Sequence, residues 1–481
     1  MKRNLFAVAL LSLPLLAGCN IGTDTTETVS EEDSSSIFIS SSTSIEFVKT
    51  MTITTPMDEN ELYVGEQIKL GVSFNFAVKD PVITWRSLDE TKATIDSSGL
   101  VIAIAPGEVS IQATYEDLQD TIDLTILEEE YTEGLEFTRY DDVDENGQAY
   151  SYYAISGYTG TSSEVIIPAT HDGLEVSFID NDVFNDNELI TDVYIASNIV
   201  YIGYWVFQDC VNLENVTLKN GKLASIWPYA FNGCTALKEI FIPYTVNYIG
   251  TYCFNVCNNL TIFAEASGPK EQWLSGWNNV NRPVIYSYAG INFEENGYSF
   301  AVSEDENNNR YCSIYGYTGT ETILDIPGTV IFDTQILPIR HLIYGFQGNK
   351  MLQEVKVGEN IISLGIDLFS ECSNLAKVTL PNSLEVIEDR VFYRTASLKE
   401  ILIPSKVTSI GEYAFNGNKA LTKVFIPNSV DYIGHNCFFN VPNSLVIYYE
   451  GSSEGVNWDE TWNYHNVKVV YNASIDDYLN A

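Results

Sequence analysis

The sequence predicts a mainly β protein in which an N-terminal β-sandwich precedes two solenoid modules, each with a parallel sheet. One observation is a phenylalanine that recurs every 23 or 24 residues in two arrays: Phe184, Phe207, Phe231 and Phe254, then Phe346, Phe369, Phe392, Phe415 and Phe438. A second is the run of short alternating stretches between residues 47 and 128. A period in the twenties is typical of a solenoid, because each unit buries its apolar face only against its neighbours.

Length and composition narrow the possible functions. The chain has 481 residues, of which 45% are hydrophobic, so packed cores are expected in more than one domain. Its 65 acidic and 25 basic residues give a formal net charge of −40, which argues against nucleic acid and anionic lipid surfaces as partners. Eight cysteines are too few for a disulfide scaffold. Six of them sit beside repeat phenylalanines, which predicts buried fillers, although pairing between neighbouring rungs stays possible.

Residues 1–19 are predicted to be an export signal. Lys2 and Arg3 precede an apolar stretch from Leu5 to Leu16, whose 12 residues are too few for a lasting membrane span. The ending Leu16-Ala17-Gly18-Cys19 resembles the bacterial lipobox. That resemblance implies cleavage before Cys19, acylation of Cys19 and a lipoprotein held at the bacterial cell surface through its lipid anchor.

Residues 20–46 are predicted to be a tether. They are rich in Ser, Thr, Asp and Glu and contain too few apolar residues to form a core.

Residues 47–128 are predicted to form an antiparallel sandwich of short strands separated by turns such as Pro106-Gly107. The segment resembles the group 2 bacterial Ig-like domain in order along its whole length, through Leu62–Glu66, Ile83–Ser87, Ala93–Asp96, Gly99–Ala103 and Gly107–Ala113. The resemblance implies a spacer on a surface protein, or in some cases an adhesive module. Trp85 is interpreted as a core residue rather than a ligand contact.

Residues 129–290 and 291–472 are predicted to be two modules of one plan, followed by a tail at residues 473–481. Each module opens with a matching stretch, Ile155–Thr161 in the first and Ile314–Thr320 in the second, and then enters its phenylalanine array. Each array ends in a pair of tryptophans: Trp273 with Trp277, and Trp458 with Trp462. We expect these pairs to cap the last rung, which otherwise exposes its apolar interior.

One rung can be traced from Leu237 to Phe254. Ile240 and Ile242 alternate with outward residues, which predicts a strand with one buried face, and Ile249-Gly250 predicts a second short extended piece. The unit resembles the BspA type of leucine-rich repeat, most clearly from Leu398 to Phe415 and from Leu421 to Phe438. Trp227 and Glu388 depart from the pattern because they stand where the repeat carries glycine.

No catalytic constellation is recognisable, and we predict neither an enzyme nor a cofactor. His171, His341, His435 and His465 are scattered, so a zinc site is unsupported. Residues 142–147 begin like a calcium loop, but Tyr153 stands where a twelfth-position acid is needed, so a hairpin tip is the better interpretation. The acidic residues are too numerous for any catalytic pair to stand out.

The candidate binding residues lie on the outward side of the strands. Glu354, Lys377, Glu400 and Lys423 form one outward column, which we interpret as a structural charge ladder. The next column contains the apolar residues Tyr194, Phe241, Leu402 and Phe425, which are either covered by another part of the chain or form a ligand-binding face.

The resemblances and the domain order together predict a non-enzymatic, adhesin-like surface protein that recognises an extracellular protein or polysaccharide. Leucine-rich repeats of this type are often implicated in adhesion, and this expectation comes from the resemblance alone. The alternatives are a polysaccharide-processing or glycan-binding accessory lipoprotein and an architectural envelope protein.

Overall fold

The computed structural model describes residues 49–55, 59–76, 78, 81–128, 130–143, 147–279, 282–464 and 466–481. Lys49–Ala481 form one unit. It is nearly all β, with one short helix among the described residues, as the alternating apolar patterns predict.

The described residues of the N-terminal domain form nine strands, which confirms the predicted sandwich. They are β1 (Met51–Thr54), β2 (Glu61–Tyr63), β3 (Gln67–Lys69), β4 (Gly71–Phe74), β5 (Thr84–Ser87), β6 (Ala93–Ile95), β7 (Leu100–Ala103), β8 (Gly107–Tyr115) and β9 (Leu118–Leu127). One sheet has the order β2-β9-β8-β5, another the order β3-β7-β6, and β1 pairs with β4. Trp85 is partly buried and packs against the core between the sheets.

Module 1 opens with an antiparallel hairpin and continues as parallel rungs. Its strands are β10 (Leu135–Val143), β11 (Ala149–Tyr158), β12 (Glu164–Ile167), β13 (Thr170–His171), β14 (Leu174–Ile179), β15 (Asp192–Ile195), β16 (Tyr201–Ile202), β17 (Asn215–Leu218), β18 (Ser225–Ile226), β19 (Glu239–Ile242), β20 (Tyr248–Ile249), β21 (Thr261–Ala264) and β22 (Val284–Ile285). Val143 pairs with Ala149 where β10 and β11 meet, and residues 144–146, which belong to the stretch that begins like a calcium loop, lie outside the described residues.

Module 2 repeats this plan with three antiparallel opening strands in place of two. Its elements are β23 (Tyr288–Glu295), β24 (Tyr298–Glu304), β25 (Arg310–Tyr317), β26 (Ile323–Ile326), β27 (Thr329–Phe332), β28 (Gln335–Leu342), β29 (Glu354–Val357), β30 (Ser363–Leu364), β31 (Lys377–Thr379), β32 (Val386–Ile387), β33 (Glu400–Leu402), β34 (Ser409–Ile410), β35 (Lys423–Ile426), β36 (Tyr432–Ile433), β37 (Val446–Tyr449), β38 (Lys468–Tyr471) and α1 (Ile475–Leu479). The predicted boundary after residue 290 falls inside β23, and the predicted tail carries α1.

Each module therefore has parallel strands on two sides of its core, with three- and four-residue strands for the most part on one side and a sheet that continues in two-residue strands on the other. In module 1 the longer strands pair in the order β12-β15-β17 and then β19-β21-β22, while β14-β16-β18-β20 form the short-strand sheet. Module 2 pairs β26-β29-β31 and β33-β35-β37-β38 on one side and β28-β30-β32-β34-β36 on the other.

The repeat phenylalanines form a continuous spine in each module. All nine are at most 1% exposed, and neighbouring rings lie 5.1–5.8 Å apart between centroids. Adjacent strands of a sheet are about 4.8 Å apart, so this spacing is that of one ring per rung. The predicted solenoid is confirmed.

The paired tryptophans close both spines, as predicted. Trp277 packs edge-on against Phe254 at 6.2 Å, and Trp462 packs in the same way against Phe438 at 6.0 Å. The first tryptophan of each pair donates its indole N–H to a backbone carbonyl of the last rung, at 3.3 Å and 3.2 Å. The cap therefore covers apolar surface without leaving these indole donors unpaired.

The seven described cysteines are all buried, as expected for rung fillers. Four of them, Cys210, Cys234, Cys257 and Cys372, follow a repeat phenylalanine by three residues, and each thiol donates to the carbonyl of the phenylalanine one rung earlier at 2.9–3.1 Å. Within the described part of the chain, no helix is both long and apolar enough to cross a bilayer.

Candidate functional site

Tyr194, the first predicted binding residue, lies against the Ig-like domain. It points outward from β15, where its hydroxyl donates to both carboxylate oxygens of Glu66 at 2.8 and 2.9 Å. The Tyr194 ring also meets Tyr63 edge-on at 5.3 Å. Burial raises the pKa of the Tyr194 hydroxyl, and the negative charge of Glu66 adds to the rise. The Ig-like domain therefore covers this part of the outward column.

Glu66 is the centre of that contact and has no solvent exposure. It also accepts hydrogen bonds from the backbone N–H groups of Tyr63 at 2.8 Å and Ser197 at 3.3 Å. Burial raises the pKa of Glu66, while the positive charge of Lys219 and these hydrogen bonds oppose the rise.

Two further connections surround Glu66. Lys219 pairs with Glu59 at 3.1 Å, and the backbone N–H of Gln67 donates to Ser197 Oγ at 2.9 Å. Because these contacts join β3 and its neighbours to the sheet face of module 1, the Ig-like domain is a docked part of the structure and not only a spacer.

The other three predicted residues differ in how far they are covered. Phe241 is partly buried and lies 5.9 Å from Tyr288 at the start of module 2. Phe425 is only 5% exposed and lies 6.0 Å from Tyr478 on α1. Leu402 is partly buried beside Phe425 in the sheet register. The four residues therefore do not form one open face, and their role in ligand binding stays a prediction.

The outward charge column contains two ion pairs, which bears out part of the predicted ladder. Lys377 pairs with Glu354 at 2.5 Å, and Lys423 pairs with Glu400 at 3.3 Å. Exposed pairs of this kind each contribute about 0–1 kcal/mol, so their main effect is on strand register.

Cys19, the predicted lipidation site, and His465 lie outside the described residues. In the described ranges, no group of His, Cys, Asp or Glu side chains is arranged to hold a metal ion.

An unpredicted cluster of aromatic residues covers another surface of module 1. Trp205, Tyr229 and Tyr252, which we name the aromatic column, each precede a repeat phenylalanine by two residues. Their rings stack along the solenoid with centroid distances of 6.4 and 5.3 Å and interplanar angles of 24° and 15°. Trp205 is 38% exposed and Tyr252 is 43% exposed, which is unusual for aromatic residues at successive repeat positions.

The backbone explains why these side chains face outward. Trp205, Tyr229 and Tyr252 have φ angles of 56°, 62° and 56°, in the left-handed region that bulky residues rarely adopt. Each residue donates its amide to a carbonyl one rung further on, or to the cap, which fixes the turn. The strain is offset by the buried phenylalanine that follows each turn.

A second group, the aromatic sheet face, adjoins the aromatic column. It comprises Tyr152, Phe178, Tyr201, Trp227 and Tyr248 on the outward side of the short-strand sheet. Phe178 stacks on Tyr201 at 4.2 Å. Trp227 lies between Tyr201 and Tyr248, with ring centroids at 6.3 and 5.5 Å. Burial raises the pKa values of Tyr152, Tyr201 and Tyr248.

Tyr204 joins the two groups into one surface. Its ring lies 5.3 Å from Trp205 and 5.0 Å from Trp227. The combined surface offers apolar ring area and hydroxyl groups but no recognisable nucleophile, so its arrangement suits binding rather than catalysis.

Module 2 has no equivalent of the aromatic column. At the matching repeat positions it carries Tyr344 and then Asp367, Arg390, Tyr413 and Asn436, the last four with positive φ. Arg390 forms a two-pronged contact with Asp367, with Nε at 3.0 Å from Oδ1 and Nη2 at 2.8 Å from Oδ2. The same repeat position thus carries an intramolecular ion pair in module 2 and stacked aromatic rings in module 1.

Sequence reasoning missed this surface although its signal was present. Trp205, Tyr229 and Tyr252 are spaced by 24 and 23 residues, which is the period of the phenylalanines themselves. The two-residue alternation that predicts strands does not reach them, because these residues lie in turns. Trp227 differs from the repeat pattern only in replacing its glycine.

Comparison with known families identifies both kinds of domain. The family described as BspA type Leucine rich repeat region matches residues 160–268 and 343–457 in six copies. The family described as Bacterial Ig-like domain (group 2) matches residues 47–126. A search of curated proteins gave no match.

Several solved structures are similar to this chain. A leucine-rich repeat protein of T. pallidum is 26% identical over 31% of this chain and 68% of its own, with a TM-score of 0.28. A leucine-rich cell surface protein of Faecalibacterium prausnitzii is 20% identical over 72% of this chain and 98% of its own, with a TM-score of 0.33. The pneumococcal vaccine antigen PcpA is 18% identical over 73% of this chain and 86% of its own, with a TM-score of 0.33.

Proposed function

Because this chain contains BspA type leucine-rich repeats after a group 2 bacterial Ig-like domain, we propose that it is a non-enzymatic, adhesin-like binding protein of the bacterial surface. Its ligand is an extracellular protein or a polysaccharide. The observation that carries this proposal is the continuous aromatic surface formed by the aromatic column, in which Trp205 and Tyr252 are exposed, and the partly buried aromatic sheet face. Aromatic residues are enriched among those that dominate binding energy, because they bury much area at little cost in conformational entropy.

The longer-strand sheet is the less suitable surface in this proposal. Tyr194 contacts the Ig-like domain, Phe241 contacts Tyr288, and Phe425 contacts Tyr478. A ligand that binds there has to displace parts of the chain itself. Leu402 remains a secondary candidate on that side.

Anchoring through a lipid on Cys19 is part of the same proposal. It is supported by Lys2, Arg3, the short apolar stretch and the lipobox-like ending. A Cys19→Ser variant is expected to move from the detergent phase to the aqueous phase in a phase-separation assay.

The binding proposal is tested with an array of polysaccharides and extracellular matrix proteins. The test variant is Trp205→Asn/Tyr252→Asn, because Asn436 occupies the same left-handed position in module 2 with φ of 51°. We expect the full chain to bind at least one class of ligand and the variant to lose about tenfold or more in affinity.

The matched control is Tyr413→Asn, which makes the same substitution at the same repeat position in module 2. It should leave binding unchanged. Equal binding by the wild type and the Trp205→Asn/Tyr252→Asn variant contradicts the proposed surface, and a loss confined to Leu402→Ser assigns binding to the longer-strand sheet.

The alternative functions give different results in the same experiments. Turnover of a polysaccharide supports a polysaccharide-processing accessory. Absence of any ligand, together with envelope defects in a deletion strain, supports an architectural role.

A further inference from the structure

The aromatic column ends at a carboxylate. The rung before Trp205 carries Asp182 at the same repeat position, also with positive φ of 62°. The Asp182 amide donates to the Tyr204 carbonyl at 3.0 Å, which places the two rungs in register. The stack of three rings is therefore followed along the solenoid by an exposed acidic side chain rather than by a fourth ring.

A second acidic column runs beside the rings, four residues later in each rung. Asp186 and Asp209 occupy it on successive rungs, with φ of 58° and 56°. Their amides donate to carbonyls of the following rung at 2.8 Å in both cases. Among the side chains that the structure describes, no lysine or arginine forms an ion pair with Asp182, Asp186 or Asp209. This edge of module 1 keeps its negative charge uncompensated.

In module 2, arginine side chains neutralise the acidic residues at these positions. When the rungs are counted back from the tryptophan caps, Asp367 stands at the position of Asp182, and it is bound by Arg390 from the next rung. Glu371 is the counterpart of Asp186, and Arg394 approaches it to 3.5 Å. In module 1 the residues at the two arginine positions are aromatic or acidic: Trp205 and Asp209. Module 1 therefore retains the carboxylates that accept hydrogen bonds but carries no arginine at either of these two positions.

Elsewhere in the protein, one of its own arginine side chains lies between an aromatic ring and a carboxylate. Arg340 lies 4.6 Å from the centre of the Tyr311 ring and pairs with Asp305 at 3.1 Å. A planar guanidinium can stack on an aromatic face and donate two parallel hydrogen bonds to a carboxylate, which an ammonium group cannot do.

We propose that the aromatic column and the acidic residues Asp182, Asp186 and Asp209 bind an arginine-bearing basic segment of a partner protein. One arginine stacks on the end of the column at Trp205 and pairs with Asp182, as Arg390 pairs with Asp367 in module 2. Neighbouring basic residues of the segment pair with Asp186 and Asp209. This inference rests on the proposed function, because it names the ligand class for the same surface.

The geometry favours a basic segment over a neutral sugar. Sugar rings stack on broad exposed faces, but Trp205, Tyr229 and Tyr252 cover one another's faces within the column. The end of the column and the carboxylates remain for the ligand, and both attract cations. The net charge of −40 also favours the approach of a basic partner.

The test measures binding of a fluorescein-labelled peptide of alternating glycine and arginine to the full chain, by fluorescence anisotropy in about 150 mM salt, where long-range attraction is screened. Peptides with lysine or citrulline in place of arginine serve as probes of charge and shape. We expect the arginine peptide to bind more tightly than the lysine peptide, and the citrulline peptide to bind least.

Two variants and one control separate this site from general attraction to an acidic protein. Asp182→Asn/Asp186→Asn/Asp209→Asn and Trp205→Asn should each weaken binding of the arginine peptide by about tenfold or more. The triple variant Glu90→Gln/Asp117→Asn/Glu306→Gln removes the same charge from exposed positions elsewhere and should change binding less than twofold, about the factor expected from screened surface charges.

Equal effects of the two triple variants overturn the proposal, as does equal binding of the arginine and citrulline peptides. If Trp205→Asn/Tyr252→Asn abolishes binding to a ligand on the array while the arginine peptide is unaffected, the proposed function stands and the basic-segment inference fails.

Discussion

Glu66→Ala should loosen the Ig-like domain from module 1. The substitution removes the acceptor of two donors from module 1, the Ser197 backbone amide and the Tyr194 hydroxyl, and also the acceptor of the Tyr63 amide within the Ig-like domain. A buried donor that loses its partner costs about 1–3 kcal/mol, and relief from burying the Glu66 carboxylate offsets part of the sum. We expect a net loss of about 3 kcal/mol in the free energy of docking.

Hydrogen exchange at the backbone amide of Gln67 measures this loss of docking free energy. That amide donates across the contact to Ser197 Oγ and does not touch the Glu66 side chain, so its exchange reports opening of the interface. A loss of about 3 kcal/mol corresponds to an increase of about a hundredfold in the opening equilibrium. Glu108→Ala, an exposed position in the same domain, is the control and should leave the exchange unchanged.

The pH dependence provides an independent check. Because burial raises the pKa of Glu66 in the docked state, docking takes up a proton and weakens as the pH rises above the ordinary value of 4.5. Glu66→Gln should remove this dependence. Exchange of the Gln67 amide that changes less than about threefold in Glu66→Ala refutes the reasoning, because the opening free energy would then have moved by under about 1 kcal/mol.

Two other predictions concern the solenoid core. Phe392→Ala, at a fully buried ring between Phe369 and Phe415, should reduce the free energy of unfolding of module 2 by about 4 kcal/mol in urea titrations, and a loss below about 1 kcal/mol contradicts the shared core. His341 is held between Arg340, Tyr311 and Ser363, where burial and then the charge of Arg340 lower its pKa from 6.5 to about 4. The unfolded state therefore takes up a proton that the folded state refuses, so stability should fall by about 2–3 kcal/mol as the pH drops from about 6.5 to 4. His341→Gln should lack this component in urea titrations at the two pH values, and an unchanged pH dependence in that variant contradicts the assignment.

Most of the fold could be predicted from the period of the repeat. Phe184 and its successors, the alternation in strands such as β19, and the paired tryptophans each follow from local spacing, which is why the solenoid and its caps could be predicted. Docking could not be predicted in this way. Glu66 and Tyr194 are 128 residues apart, and nothing in the local pattern of either residue indicates the other.

The candidate surface was predictable only in part. The alternation of residues along the strands correctly placed Tyr194 and Phe425 on the outward side of the sheet. It did not show that they are covered, because the residues that contact them, Glu66 and Tyr478, come from distant segments of the chain. The aromatic column lies in turns with left-handed backbone, where the period of two residues does not apply. Only the period of the whole rung reveals Trp205, Tyr229 and Tyr252 as a set.

The supply of one ring per rung also has an evolutionary consequence. Duplication or deletion of a single 23-residue unit changes the length of such a surface by about 4.8 Å and leaves the caps and all other units intact. Related genes can therefore adjust the reach of the surface to partners of different size by unequal recombination, without redesigning any contact.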